Sequence, residues 1–284
     1  MENPEINRLE DGTIVLKIKV SHAEVEKVRE KVKAELSKQV NAPGFRKGNV
    51  PKKIAEERLN KALVQEETLK QVVPDAYNEA IKKLDVHPII SPKLHIELFD
   101  EGTDLQFEAV TAEEPKVTLK KYKEAVQKIT AGTKILKPGE EPKKPSIDEV
   151  LEAALSEAEV LVPKILVEEE TNRLLSQVLD ELQRLGMTLD QYLASRGQKV
   201  EDLRGAYEAK SERDLKMEFV LKAIADQENI KIEEKDLEEA LSRFKDEKNR
   251  ADIAKNPYFL TALIRQQKTI DFLMKIWNWD EFIL

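Results

Sequence analysis

The sequence predicts an α+β N-terminal domain, an antiparallel sheet with helices on one face, followed by an all-α multi-helix domain. Two observations predict this. Segments at 13–20, 94–98 and 105–109 alternate apolar and polar residues, and helical periodicity fills the stretch between the first two. Strands with one apolar face, interrupted by helices, pack as a sheet covered on one side. Beyond residue 146 the alternation stops, and helix-starting and helix-ending signals recur. The expected boundaries are 1–115 for the α+β domain, 116–145 for a linker and 146–284 for the helical domain.

In the first strand Ile14, Leu16, Ile18 and Val20 share one face, with Lys17 and Lys19 on the other. Ser21 and Glu24 have the spacing of a capping box, so a helix starts there. Its residues Val25, Val28, Val32 and Leu36 should face the strand. A glycine- and proline-rich loop interrupts at 41–51, and a second helical region covers about 52–84. There Leu69, Val72, Val73, Ala76, Tyr77, Ala80, Ile81 and Leu84 form the apolar face, and Pro74 should bend or split the helix. His87-Pro88 ends the helices. Leu94, Ile96 and Leu98, the turn Asp100-Glu101-Gly102, and Leu105, Phe107 and Ala109 make a hairpin.

Residues 116–130 carry some apolar spacing, but Pro138, Pro142 and Pro145 with alternating charges mark a semi-extended linker. Ser146 and Glu149 then form a capping box for a short helix to about Glu157. Pro163 opens a longer helix carrying Ile165, Val167, Leu174, Leu175, Val178, Leu179 and Leu182, which Gly186 ends. Thr188 caps a short helix stopped at Gly197, a long helix covers about 200–228, and two more lie at about 233–247 and 257–278.

Composition narrows the function. Aromatic residues make up only 5%, which argues against one large, densely packed enzyme core. A net charge of −8 disfavours a general nucleic-acid binder, and no DNA partner is expected. Without cysteine there is neither a disulfide framework nor thiol chemistry. Met1-Glu2-Asn3-Pro4-Glu5 lacks the basic and apolar regions of a secretion signal, and no apolar run approaches the roughly 18 residues of a membrane span. A cytoplasmic protein with no membrane partner is the expectation. His22, His87 and His95 are far apart and lack zinc-ligand spacing, and no phosphate-binding glycine loop or nucleophile elbow is present. No catalytic residue, metal or cofactor is therefore expected. Glu168-Glu169-Glu170 suits the positive end of a helix and a solvated face.

The most informative segment is Gly44-Phe45-Arg46-Lys47-Gly48-Asn49-Val50-Pro51. Glycines permit the turns, and Pro51 can open a helix. Phe45, Arg46 and Lys47 then project from a loop tip, a combination suited to a surface offering phosphates beside an apolar patch. Over residues 41–61, Arg46, Lys47, Lys52, Lys53, Arg58 and Lys61 against Glu56 and Glu57 leave a local charge of +4 on an acidic chain. The plain alternative is a structural turn with Phe45 tucked in.

This motif resembles the ribosome-docking loop of trigger factor, the bacterial chaperone that meets nascent chains. Residues 1–115 resemble the family's ribosome-binding domain. Residues from about 146, notably Glu159-Val160-Leu161-Val162-Pro163, resemble its helical chaperone domain. Most trigger factors carry a prolyl isomerase domain between the two. Such a domain needs on the order of 100 residues, and about 30 stand at 116–145. The resemblance is therefore to a trigger factor lacking that module, and no enzyme activity is expected.

The resemblance implies an ATP-independent chaperone that docks near the nascent-chain exit and shields unfolded apolar segments. Its partners would be ribosomal protein and rRNA, unfolded or nascent polypeptides and, weakly, a second copy of itself. Gly44, Phe45, Arg46, Lys47 and Gly48 would make the docking element. Asn49 departs from a position where the family often has a cation, which should weaken docking modestly. A chaperone also needs scattered apolar side chains in polar surroundings. Met187, Tyr192, Phe244, Tyr258 and Phe259 are candidates at helix ends and turns, with a core role as the plain alternative for any single one, and Trp279 is a candidate in an unusually apolar C-terminal segment, whose plain alternative is docking on a neighbouring helix. Two further readings are a ribosome-independent holdase or assembly factor, favoured by Asn49, and a scaffold with a single client.

Overall fold

The structure, a computed structural model, describes residues 3–40, 51–100, 102–132, 145–242 and 257–276. The chain divides into two compact units, Met1–Glu114 and Pro115–Leu284.

The first unit runs β1 (Glu5–Arg8), β2 (Thr13–Val20), α1 (His22–Ser37), α2 (Lys52–Glu57), α3 (Lys61–Lys83), β3 (Lys93–Leu98) and β4 (Leu105–Ala112). Its sheet has the order β1-β2-β4-β3, with every neighbouring pair antiparallel. Alternation fixes the register: Leu16 lies opposite Ala109, Ile18 opposite Phe107 and Val20 opposite Leu105, all buried on one face. A slip by one residue would turn that whole set to solvent. Val25 of α1 and Val72, Val73, Ala76, Tyr77 and Ala80 of α3 close the core over that face.

Three details differ from expectation. β1 holds only Ile6 as an apolar residue, so no alternation announced it. The tight turn that pairs it with β2 uses Gly12 at φ +87° and Asp11, whose carboxylate accepts from the Thr13 amide at 2.9 Å. Ser21 and Glu24 do not form a capping box. The Ser21 hydroxyl donates to Glu24 Oε2 at 3.0 Å, and Asp104, from the β3–β4 turn, accepts from the His22 amide at 2.8 Å. A remote carboxylate thus satisfies an orphan donor at the helix start. Finally, α3 runs unbroken through Pro74, and the break falls before it, at Asn60, whose side chain accepts from the Ala62 amide at 3.0 Å. An interior proline costs about 3 kcal/mol. Buried Val72, Val73, Ala76 and Tyr77 on both sides of Pro74 offset that cost through packing.

The second unit runs β5 (Val117–Leu119), α4 (Tyr122–Gly132), α5 (Ile147–Ser156), β6 (Ala158–Val160), α6 (Lys164–Arg184), α7 (Leu189–Arg196), α8 (Val200–Gln227), α9 (Glu234–Ser242) and α10 (Pro257–Lys275). The helical architecture carries one small addition, an antiparallel ribbon in which Val117 pairs with Val160 and Leu119 with Ala158.

That ribbon corrects the linker reading for 117–132. β5 and α4 belong to the helical unit, and Tyr122 and Val126 sit in its core with Val150, Ala154, Val220, Leu221, Ile224 and Leu273. The Tyr122 hydroxyl donates to Glu228 Oε1 at 2.8 Å, and Lys123 Nζ lies 2.7 Å from the same oxygen. Lys123 and then Tyr122 hold the Glu228 carboxyl below its usual range, and burial, reinforced by Glu228, pushes the Tyr122 phenol up. The proline-rich remainder of the expected linker, 133–144, lies outside the described residues.

Candidate peptide-binding surface

α6 begins where β6 ends. Buried Pro163 is its N-cap, and its carbonyl accepts from the Leu166 and Val167 amides. Gly186 ends the helix in the left-handed region at φ +67°, with the Met187 amide donating back to the Leu182 carbonyl at 2.9 Å. This is a Schellman closure, which needs a residue that tolerates positive φ. Thr188 and Gln191 then form a reciprocal capping box on α7, which Gly197 stops at φ +62°. These signals bring α8 back along α6 as an antiparallel pair.

The seam of that pair is thin. α6 buries Ile165, Val167, Thr171 and Leu182, and the first two-thirds of α8 bury only Leu203 and Ser211. Midway, the hydroxyls of Thr171 and Ser211 lie 3.1 Å apart, and Thr171 donates to the Val167 carbonyl at 2.7 Å. Small hydroxyl residues at the contact let two helices meet without a thick apolar layer between them. Leu174, Leu175 and Val178 are consequently only half-buried. Leu179 (48% exposed), Leu185 (75%), Met187 (39%) and Val200 (50%) face solvent on α6, in its closing turn and at the first residue of α8. Charged residues flank them along the chain, including Asp180, Glu181 and Arg184. A lone exposed leucine is ordinary. Four exposed apolar residues at one end of a lightly packed helix pair form a dispersed apolar surface.

Of the residues predicted from sequence, Met187 lies in this group. Tyr192 on α7 is half-buried, with the Arg196 guanidinium 4.7 Å from its ring centroid, so a ligand would compete with a cation–π contact. Tyr258 is 87% exposed at the start of α10. Gly44, Phe45, Arg46, Lys47, Gly48, Phe244 and Trp279, and the side chain of Phe259, lie outside the described residues. Sequence reasoning missed Leu179, which it assigned to the apolar stripe of its helix, and Leu185 and Val200, which it did not single out. The available signals were the position of Leu185 beside the helix-ending Gly186 and of Val200 at a helix start. Leu161 and Leu263 are also exposed. Among the described residues no group of three or more His, Asp or Glu side chains is placed to hold a metal, and no helix is long and apolar enough to cross a membrane.

Fold and surface together define a class: an α+β domain joined to a helical unit that displays separated apolar side chains. Two family models match, the bacterial trigger factor protein over residues 3–154 and the bacterial trigger factor C-terminus over 118–275. The chain belongs to the trigger factor family. The two matches overlap, so no middle domain stands between them. Trigger factors of Natranaerobius thermophilus, Desulforamulus reducens and Staphylococcus aureus are 34%, 37% and 36% identical over 116, 116 and 109 residues. Those matches cover 41%, 41% and 38% of this chain and 26%, 27% and 25% of the relatives, so the chain spans about a quarter of their length. A solved structure from work on promiscuous substrate recognition in the folding and assembly activities of the trigger factor chaperone shares the fold, with a TM-score of 0.65 and 15% identity. It covers 96% of this chain and 100% of its own.

Proposed function

We propose that this chain is an ATP-independent chaperone that shields unfolded apolar segments with its helical unit and docks on the ribosome through the 44–48 loop. The observation that carries the shielding role is the exposure of Leu179, Leu185, Met187 and Val200 at one end of the α6–α8 pair. Separated apolar contacts among charges bind many extended sequences weakly and release them without an energy source. The docking role is supported by the Gly44–Pro51 motif and the +4 local charge around it. The reading includes no prolyl isomerase step: β5 and α4 take up the first half of the segment where the family's isomerase domain would stand. A ribosome-independent holdase is the second reading, favoured by Asn49.

Suppression of aggregation tests the shielding role. Leu185→Ser/Met187→Ser/Val200→Ser should weaken the holding of two unrelated unfolded proteins about ten-fold or more. Each buried apolar side chain contributes roughly 1.5–3 kcal/mol, and about 1.4 kcal/mol is a decade of affinity. The substituted residues are exposed, so the thermal unfolding profile should stay unchanged. Unaltered suppression by the variant would move the surface elsewhere. Wild-type protein that holds neither client would favour a single-client scaffold.

A further inference from the structure

The first unit holds a cavity of about 420 Å³ that neither the shielding nor the docking role uses. One stripe of α1 makes one wall, with Glu26, Arg29 and Lys33 at helical spacing. Leu59, Lys61 and Val64, from the α2–α3 connection and the first turn of α3, make another. Small-molecule sites occupy about 300–1,000 Å³, so the cavity has room for more than a bare ion.

Arg29 is the side chain that packing alone explains least. It is only 8% exposed, and a guanidinium has five N–H donors to satisfy. Among the described residues it makes one hydrogen bond, from Nη1 to Glu26 Oε2 at 2.9 Å, and its guanidinium carbon lies 5.7 Å from the Phe99 ring centroid. Buried charges are costly unless paired and hydrogen-bonded. Glu26 and Phe99 therefore orient the guanidinium while most of its donors stay available to a ligand. Lys33 is answered within the protein, by Glu30 at 2.7 Å and Glu26 at 3.6 Å. Lys61 is exposed and has no ion-pair partner among the described residues. It is also the first residue of α3, so the positive end of that helix lies at the same wall. Cations outweigh the one carboxylate, and the Arg29 fork matches the spacing of phosphate oxygens. Half-buried Leu59 and buried Val64 supply an apolar wall beside them.

We infer that the cavity between α1 and the start of α3 binds a small phosphate monoester, its phosphate on Arg29 and Lys61 and its organic part against Leu59 and Val64. The volume fits a sugar phosphate or a mononucleotide. The ligand bridges two helices of the first unit, so its binding stabilises that unit by mass action. It supplies no energy for client release, which stays independent of this site.

Calorimetric titration of the full chain with adenosine monophosphate and with ribose phosphate, at constant ionic strength, tests the site. At least one of the two should bind at millimolar concentration or below. Removing the phosphate, as in adenosine or ribose, should weaken binding about ten-fold or more, the loss expected for charge-assisted hydrogen bonds. Lys61→Ala should weaken the monoester about ten-fold, and Arg29→Lys should do the same although it keeps the charge, because lysine lacks the fork. Lys27→Ala, an exposed change on α1 outside the cavity, should bind like the wild type. Lys61 is exposed, so Lys61→Ala reads the site even where replacing buried Arg29 lowers stability. No binding of either monoester, equal binding with and without the phosphate, or wild-type affinity in Lys61→Ala would each overturn the proposal. Binding of a short RNA that Lys61→Ala weakens, with none of either monoester, would assign this wall to nucleic acid and overturn it as well.

Discussion

Tyr122→Ala is expected to destabilise the helical unit by about 3–5 kcal/mol, the cost of deleting a large aromatic side chain from a packed core. Tyr122 is 2% exposed, and its neighbours come from α5, α8 and α10 as well as α4. Its hydroxyl adds a hydrogen bond to Glu228, which would keep only its Lys123 partner of these two in the variant. Tyr122→Phe should therefore cost far less, about 1 kcal/mol, because only that bond is lost. Urea unfolding followed by helical circular dichroism reads both effects. A residue in a linker would show neither, so equal stability of Tyr122→Ala and wild type would contradict the assignment of β5 and α4 to the helical unit.

Phe45→Ala/Arg46→Ala/Lys47→Ala is expected to abolish sedimentation with ribosomes at low salt. Two lost phosphate contacts should also flatten the dependence of log affinity on log salt by about 1.4–1.8. Asn49→Lys should act in the opposite direction, steepening the dependence by about one. Charge and apolar insertion separate cleanly: Phe45→Ala alone should weaken pelleting without altering the salt slope. Salt-insensitive pelleting shared by wild type and the triple variant would remove the loop from the docking role.

The legible parts of this chain are those where one physical rule acts alone. β2 and β4 read directly because Ile14, Leu16, Ile18 and Val20 must share a face with Leu105, Phe107 and Ala109. The capping box at Ser146, the cap at Thr188, and the stops at Gly186 and Gly197 read directly because each is a local bond or a local dihedral. Features set by distant partners were not legible. β1, whose only apolar residue is Ile6, carries no pattern of its own and takes its place from β2, and β5 pairs with β6 about forty residues away in sequence. The His22 amide takes its acceptor from Asp104, more than eighty residues on. Pro74 misled because its local cost is real, while the packing that offsets it lies in residues of the core.

The surface shows the same division. Glycine and threonine signals placed the α6–α7–α8 turns, so Met187 was found. Which leucines of α6 stay exposed depends on how lightly α8 packs against them. That follows from Thr171 meeting Ser211 across the seam, a contact between residues forty positions apart.

The most direct test is a photo-activated cross-linker at position 185, with one at Asp271, an exposed residue of α10, as the control. Each protein is mixed with an unfolded client and irradiated. Abundant client adducts are expected from position 185 and few from position 271, with both lost once the client has folded. Absence of adducts at 185, or equal yields at both positions, would contradict the claim that the α6–α8 end is where this protein holds its clients.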